Sequence, residues 1–288
     1  AEALDVLVAA AQRGQDQPEL WARLDAAAMR DDRLAELAFA YERLSRDKKL
    51  AKLPPAAQAD ILGRIGVFFA DAFGDPDGAE VYLQQAIGLS PAHPTVFAKL
   101  ESLLIRKEEG LRVSDLYATA ALHKQDKRDQ ILMLRRALEL CEGFGGAEEE
   151  ERQIKLFHQI LRLEPGDPKV RKSLEDAYLR AGKVADLAKM LEQTLHGDGL
   201  PAAEALATRE RLIELYLERL REPEKTIAHT EEVLRAQPES EAARKAADTL
   251  LGHKVLAPRA AAALAVAFDK LGRYAEAAGA YARALAVS

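Results

Sequence analysis

Four of the prolines in this chain mark out a period. Pro18, Pro91, Pro165 and Pro238 lie 73, 74 and 73 residues apart, by subtraction of their numbers. Each follows a run with apolar residues at helical spacing (Gln85 to Ser90, Ile160 to Glu164, Val233 to Gln237) or precedes one (Trp21 to Leu24, Val96 to Leu104, Leu174 to Leu179, Ala242 to Leu251). Proline lacks an N–H and clashes with the preceding helical turn, so it belongs at helix boundaries. All twelve prolines can be placed there. Asp75-Pro76, Asp167-Pro168 and Glu222-Pro223 set an acidic residue just before the first helical position, a good helix start. Half of the long period is close to the length of one helix–turn–helix repeat, so each period holds two helix pairs.

Periodicity between these marks predicts sixteen helices: 1–13, 19–30, 32–46, 56–73, 77–89, 94–107, 112–124, 126–142, 147–163, 168–181, 183–196, 201–220, 223–236, 240–252, 258–271 and 274–287. No segment alternates apolar and polar residues with β-branched enrichment, so no sheet is expected. Lys48 to Pro55 and Gly143 to Gly146 read as connectors between pairs. Ala and Leu carry most of the apolar load, aromatics are 6% and charged residues of both signs are 31%. That is the balance of helices with one buried and one solvated face.

Residues 264–285 carry a recognisable pattern. Leu264-Ala265, Phe268, Leu271-Gly272, Tyr274, Ala277, Tyr281 and Ala284-Leu285 alternate small and large residues at fixed offsets. Small residues let two helix backbones approach and large ones fill the gaps around them. This stretch resembles a tetratricopeptide repeat. Leu174, Tyr178, Gly182, Leu187 and Leu191 form a second copy, and the stretches ending at Pro91 and Pro238 match the second half of two more. The resemblance implies an all-α fold, a right-handed α-solenoid of stacked helix-turn-helix pairs. It would run over 1–288 as one array, in double units 18–90, 91–164 and 165–237 and a shortened unit 238–288, inside a longer protein of bacterial type. It further implies a scaffold that binds a protein or peptide, without enzymatic activity or cofactor.

In that family the first helix of each pair lines a concave surface. The matching inward positions are Lys169, Lys172, Asp176, Leu179 and Arg180 in one unit. In the next they are Thr208, Arg211, Leu215, Glu218 and Arg219, and in the last Arg259, Ala262, Val266, Asp269 and Lys270. The expected contact set is Lys169, Lys172, Asp176, Arg180, Arg211, Leu215, Arg219, Arg259 and Lys270. Its cations favour an acidic or C-terminal peptide segment, since hydrogen bonds between charged partners are the stronger kind. Asp176 stands where members that clamp a terminal carboxylate have an Asn.

Other clusters read as structure. His93, His123, His158, His196, His229 and His253 have no i, i+4 pair and are expected at the surface or at helix ends. Asp71, Asp75 and Asp77 lack the spacing of a calcium loop and mark a helix junction. Gly143-Phe-Gly-Gly lacks the Lys and the preceding strand of a phosphate loop. The basic clusters Arg43–Lys52 and Lys124–Arg136 read as solvated faces. Lone Cys141 reads as a buried small hydrophobe and excludes an internal disulfide. A net charge of -6 argues against nucleic acid, which is bound through excess Lys and Arg. No run reaches the roughly 18 apolar residues of a membrane span, and the expected compartment is the cytoplasm, with the periplasm left open. The first and last helices carry few charges, so continuation of the array or end-to-end self-association is the second expected mode of contact.

Overall fold

A computed structural model describes residues 18–143, 145–197 and 200–287. Among them the chain forms fifteen α-helices and no strand. They are α1 (Pro18–Arg30), α2 (Leu34–Ser45), α3 (Pro55–Phe68), α4 (Pro76–Leu89), α5 (Pro94–Arg106), α6 (Gly110–Ala121), α7 (Lys127–Cys141), α8 (Ala147–Leu163), α9 (Pro168–Arg180), α10 (Val184–His196), α11 (Ala202–Glu214), α12 (Pro223–Ala236), α13 (Glu241–Leu250), α14 (Ala257–Lys270) and α15 (Tyr274–Val287). A single 3₁₀ turn, Leu50–Lys52, lies in the Lys48–Pro55 connector. The first predicted helix, 1–13, falls outside the described residues. The chain divides into two compact units, Ala1–Arg171 and Lys172–Ser288.

The junction residues act as their chemistry dictates. Asp75 accepts the N–H of Gly78 at 2.9 Å ahead of Pro76. Asp126 caps α7 through Arg128 and Asp129, and Asp167 caps α9 through Lys169 and Val170. Ser240 caps α13 through Ala243. Each side chain satisfies N–H groups that have no partner inside the helix. At the other ends, one turn is used four times. Asp32, Glu108, Gly182 and Gly272 take positive φ of 53°, 59°, 67° and 70°. The next residue then bonds back to a helix carbonyl: Arg33 to Ala28, Glu109 to Leu104, Lys183 to Tyr178, Arg273 to Phe268. This left-handed closure turns the chain sharply into its antiparallel neighbour.

Two helices end differently. α3 runs into a π-helical turn, Phe69–Phe73, and α11 into another, Leu215–Leu220. Gly74 and Arg221 then go left-handed, and Asp75 N–H and Glu222 N–H bond to Phe69 and Tyr216 carbonyls, both at 2.9 Å.

Within each unit the helices touch their sequence neighbours and the helices two positions away. The result is two rows. In the first unit α3 and α5 pack in one row, and Arg112 of α6 reaches Glu80 of α4 in the other. In the second, α11 packs against α13 and α12 against α14. Each unit is the all-α stack of helix-turn-helix pairs that the sequence implies.

The two cores differ. In the first unit, buried aromatics form a chain: Trp21 lies 5.9 Å from Tyr41, Tyr41 4.9 Å from Phe68, and Phe69 5.1 Å from Tyr82, between ring centres. Gly66 of α3 admits Leu83 of α4 where a methyl group would fall 2.7 Å from it. In the second, Ala243, Ala246, Ala247, Ala257, Ala260, Ala261 and Ala267 are buried, so the helices meet almost backbone to backbone. Cys141 is buried in the first unit, with its Sγ against the Leu138 carbonyl at 3.2 Å.

Candidate protein-binding surface

The expected contact residues of the second unit separate by row. α9 and α11 share a row: Arg211 of α11 approaches Glu175 of α9 at 3.8 Å, and its guanidinium also holds Glu214 at 2.7 Å. Lys172, Asp176 and Arg180 on α9, and Arg219 beyond α11, are exposed. Lys169, also exposed, lies on the same helix but in the first unit.

Arg259 and Lys270 belong elsewhere. The sequence pattern makes α14 the first helix of a pair, in line with α9 and α11. In the structure α14 packs on α12. Arg259 forms a two-pronged contact with Glu231 of α12, at 2.9 and 2.7 Å, and Lys270 donates to the Arg235 carbonyl at the end of α12 at 2.8 Å. Helix α13 takes the place in the first row, tied to α11 by Ser240–Glu210 at 2.5 Å and to the π-helical turn after it by Lys245–Glu218 at 3.7 Å. Leu215 is a second correction. It begins the π-helical turn and is only 3% exposed, so it fills the core. The widened turn rotates the following side chains away from the register of an uninterrupted α-helix.

These contacts belong to a general pattern. Charged and polar partners are separated by one repeat: His93–Asp60 by 33 residues, Arg112–Glu80 by 32, Arg152–Asp115 by 37, Arg259–Glu231 by 28. Lys99–Asp71 and Arg283–Asp248 are further rungs. The basic cluster on α7 is used likewise, Arg135 reaching Asp167 at 3.0 Å. Sequence spacing cannot distinguish a cation engaged in this way from one offered to a partner.

His229 also departs from expectation. It is 7% exposed rather than superficial. Its Nε2 lies 2.9 Å from Glu192 of α10, its Nδ1 3.3 Å from Arg209 of α11, and Tyr216 stacks on its ring and donates to Glu192 at 3.0 Å. Among the described residues no cluster of His, Cys, Asp and Glu suits a metal ion.

The first unit contains a cavity that the sequence reading missed. It has a volume of about 290 Å³ and is lined by Trp21 and Asp25 of α1, Asp60, Gly63 and Arg64 of α3, and His93 and Val96 of the α5 start. These helices open the first three pairs. Gly63 keeps the walls close, since a methyl group there would fall 2.5 Å from Val96 Cγ2. Tyr41 donates to Asp25 at 2.8 Å. Burial pushes the Asp25 carboxyl above its ordinary range, and the Tyr41 bond opposes this only in part. A second hollow, of about 460 Å³, lies between α13, α14 and α15 and is walled by charged residues including Arg244, Asp248 and Arg283.

No family model matches the chain, and no curated protein sequence does. Solved structures do align. Human IFIT1, as a dimer with m7Gppp-AAAA, is 16% identical over 94% of this chain and 72% of its own, with a TM-score of 0.37. YrrB, described as a TPR protein with an unusual peptide-binding site, is 14% identical over 73% of this chain and 99% of its own, at 0.29. A tetratricopeptide repeat protein from Parabacteroides merdae is 15% identical over 85% and 89%, at 0.30. The two-row stacking and the recurring left-handed turns themselves define the chain as an all-α helical repeat protein. No helix among the described residues is long and apolar enough to cross a membrane.

Proposed function

We propose that this chain is a protein-binding scaffold that engages a peptide segment or partner protein through the row containing α9 and α11, and that it has no catalytic role. The supporting observation is the exposure of Lys172, Asp176, Arg180 and Arg219 along this row. Their helices have used their backbone groups internally, so recognition falls to side chains. Arg211, engaged by Glu214 and Glu175, is the weaker contributor to capture of an acidic segment. Cross-linking of the chain in a lysate of its source organism, followed by mass spectrometry, tests this. Partners captured by the parent chain should be lost or depleted about tenfold in Lys172→Glu/Arg219→Glu, as expected for reversed charge-assisted contacts. An unchanged partner set removes the assignment.

A second mode has its own observation. On α15, Tyr274, Tyr281 and Leu285 are 68%, 49% and 79% exposed. They share one helix face with Ala278. Exposed apolar faces of this kind favour association. Light scattering over a concentration series should give a rising mass that Tyr281→Glu/Leu285→Glu abolishes. A constant monomer mass at every concentration rejects it.

A further inference from the structure

We infer that the hollow framed by the starts of α5 and α7 and the end of α6 receives a large apolar side chain of a partner protein, from a segment in which acidic residues flank that side chain. The hollow lies in the first unit and uses none of the α9–α11 residues, so it stands apart from the surface proposed above.

The walls carry the first part of the argument. The hollow has a volume of about 430 Å³ and is lined by Phe97 of α5, Ala120 of α6, and Leu132 and Met133 of α7. Leu132 is 69% exposed in the middle of its helix. One exposed leucine is ordinary; one that walls a recess together with an aromatic ring and a thioether offers an apolar surface to a ligand. Tyr117 holds the Phe97 ring edge to face at 5.0 Å and is itself anchored to Glu101 at 2.6 Å, so this wall is set before a ligand arrives. The volume falls within the roughly 300–1,000 Å³ of ligand sites and admits one Leu, Met or Phe side chain. A lipid surface calls for an apolar face that sinks into it, whereas a recess takes a group that is inserted.

Charge around the recess says what flanks the inserted group. On α7, Arg135 is taken by Asp167 and Arg136 by Glu139. Lys124, which lines the hollow, and Arg128, one turn before Leu132, form no ion pair among the described residues. Asp126, between them in sequence, uses its carboxylate on the N–H groups of Arg128 and Asp129. Two uncommitted cations beside an apolar recess favour acidic residues next to the anchoring side chain, since charge-assisted contacts are the stronger kind. Asp129 also lines the hollow and separates a peptide from a simple amphiphile. A fatty-acid carboxylate would bring only a second anion beside it. A peptide brings backbone N–H groups that Asp129 can accept.

The chain has three methionines, Met29, Met133 and Met190, so methyl labelling places one signal in the hollow and two on other helices. The full chain, isotope-labelled at its methionine methyls, is titrated by nuclear magnetic resonance with acetyl-Gly-Glu-Leu-Glu-Gly-amide. The same peptide with Ala for Leu, the same peptide with Lys for both Glu, and hexanoate serve as comparisons, and Met133→Leu assigns the signal. Saturable movement of the Met133 resonance by the Glu-Leu-Glu peptide is expected, with each comparison ligand weaker by roughly tenfold or more. Arg128→Glu should weaken the acidic peptide by a similar factor, and Leu132→Glu should remove its binding. Both side chains are exposed, so the fold is kept, as circular dichroism verifies. Lys172→Glu/Arg219→Glu should leave this binding unchanged, which separates failure of this site from failure of the other. Three results each overturn the proposal: no saturable movement of Met133 at millimolar peptide, equal binding of any comparison ligand, or unaltered affinity in both Arg128→Glu and Leu132→Glu.

Discussion

Asp32 and Glu108 occupy the left-handed region where Gly182 and Gly272 serve the same turn. An L-residue with a Cβ is strained there by about 1–2 kcal/mol, offset in part by the greater freedom of glycine in the unfolded chain. Glu108→Gly is therefore expected to stabilise the protein by about 0.5–1 kcal/mol. Gly182→Ala should destabilise it by about 1 kcal/mol, and a Cβ there meets no atom within 4 Å, so the cost is one of backbone alone. Urea denaturation of the two variants checks both signs. Asp167 gives a second residue-scale outcome. The Val170 N–H first holds its carboxyl below the ordinary range; burial opposes this, and Arg135 and the Lys169 N–H reinforce it. A depressed carboxyl contributes stability that is full above its unfolded value and is lost as pH falls through the folded one. Asp167→Asn should then lower stability at neutral pH and flatten the loss between about pH 4 and the acid limb, where wild type and variant converge. The capping role of Asp167 was readable from Asp167-Pro168. The left-handed Asp32 and Glu108 were not, because nothing local distinguishes them from ordinary surface acids; only the bonds of Arg33 and Glu109 back to the preceding helix reveal the turn.

Among elements, boundaries followed from proline and capping chemistry, and fifteen predicted helices appear with edges displaced by a few residues. What periodicity could not supply was the two π-helical turns. Phe69–Phe73 and Leu215–Leu220 each insert an extra residue into a turn before Asp75-Pro76 or Glu222-Pro223. The two sites lie about two long periods apart, so they are copies of one device. Arg221 is the imperfect copy of Gly74, and Arg221→Gly should raise the stability of the α11–α12 junction by about 0.5–1 kcal/mol, read as slower amide exchange in Leu215–Leu220. The row assignment of α14 was likewise hidden. Its repeat-like sequence describes its tight packing with α15, but which row it joins depends on α13, whose alanines at 243, 246 and 247 dock it between α11 and α14. Charge could be read as cationic without being read as engaged, because the partners of Arg211 and Arg259 lie a repeat away in sequence.

At the scale of the molecule, stabilising contacts are short-range in sequence, with the ladder pairs separated by about one repeat. Arrays of this kind gain stability repeat by repeat and lose strict two-state behaviour as they lengthen. Urea curves followed by Trp21 emission and by far-ultraviolet circular dichroism should not coincide, since Trp21 samples only the earliest pairs. Coincident curves would mean one cooperative transition. The cores carry a consequence of their own. Backbone turns repeat along this chain, yet the interiors they enclose do not: aromatic rings join the aliphatic core of the first unit, alanines that of the second. A helix that docked in the wrong unit would bring Phe68 or Tyr41 against a surface shaped for alanine. Repeat chains are prone to misassembly between like modules during synthesis. Divergent interiors make each neighbour recognisable, so the growing polypeptide carries its own proofreading of repeat order.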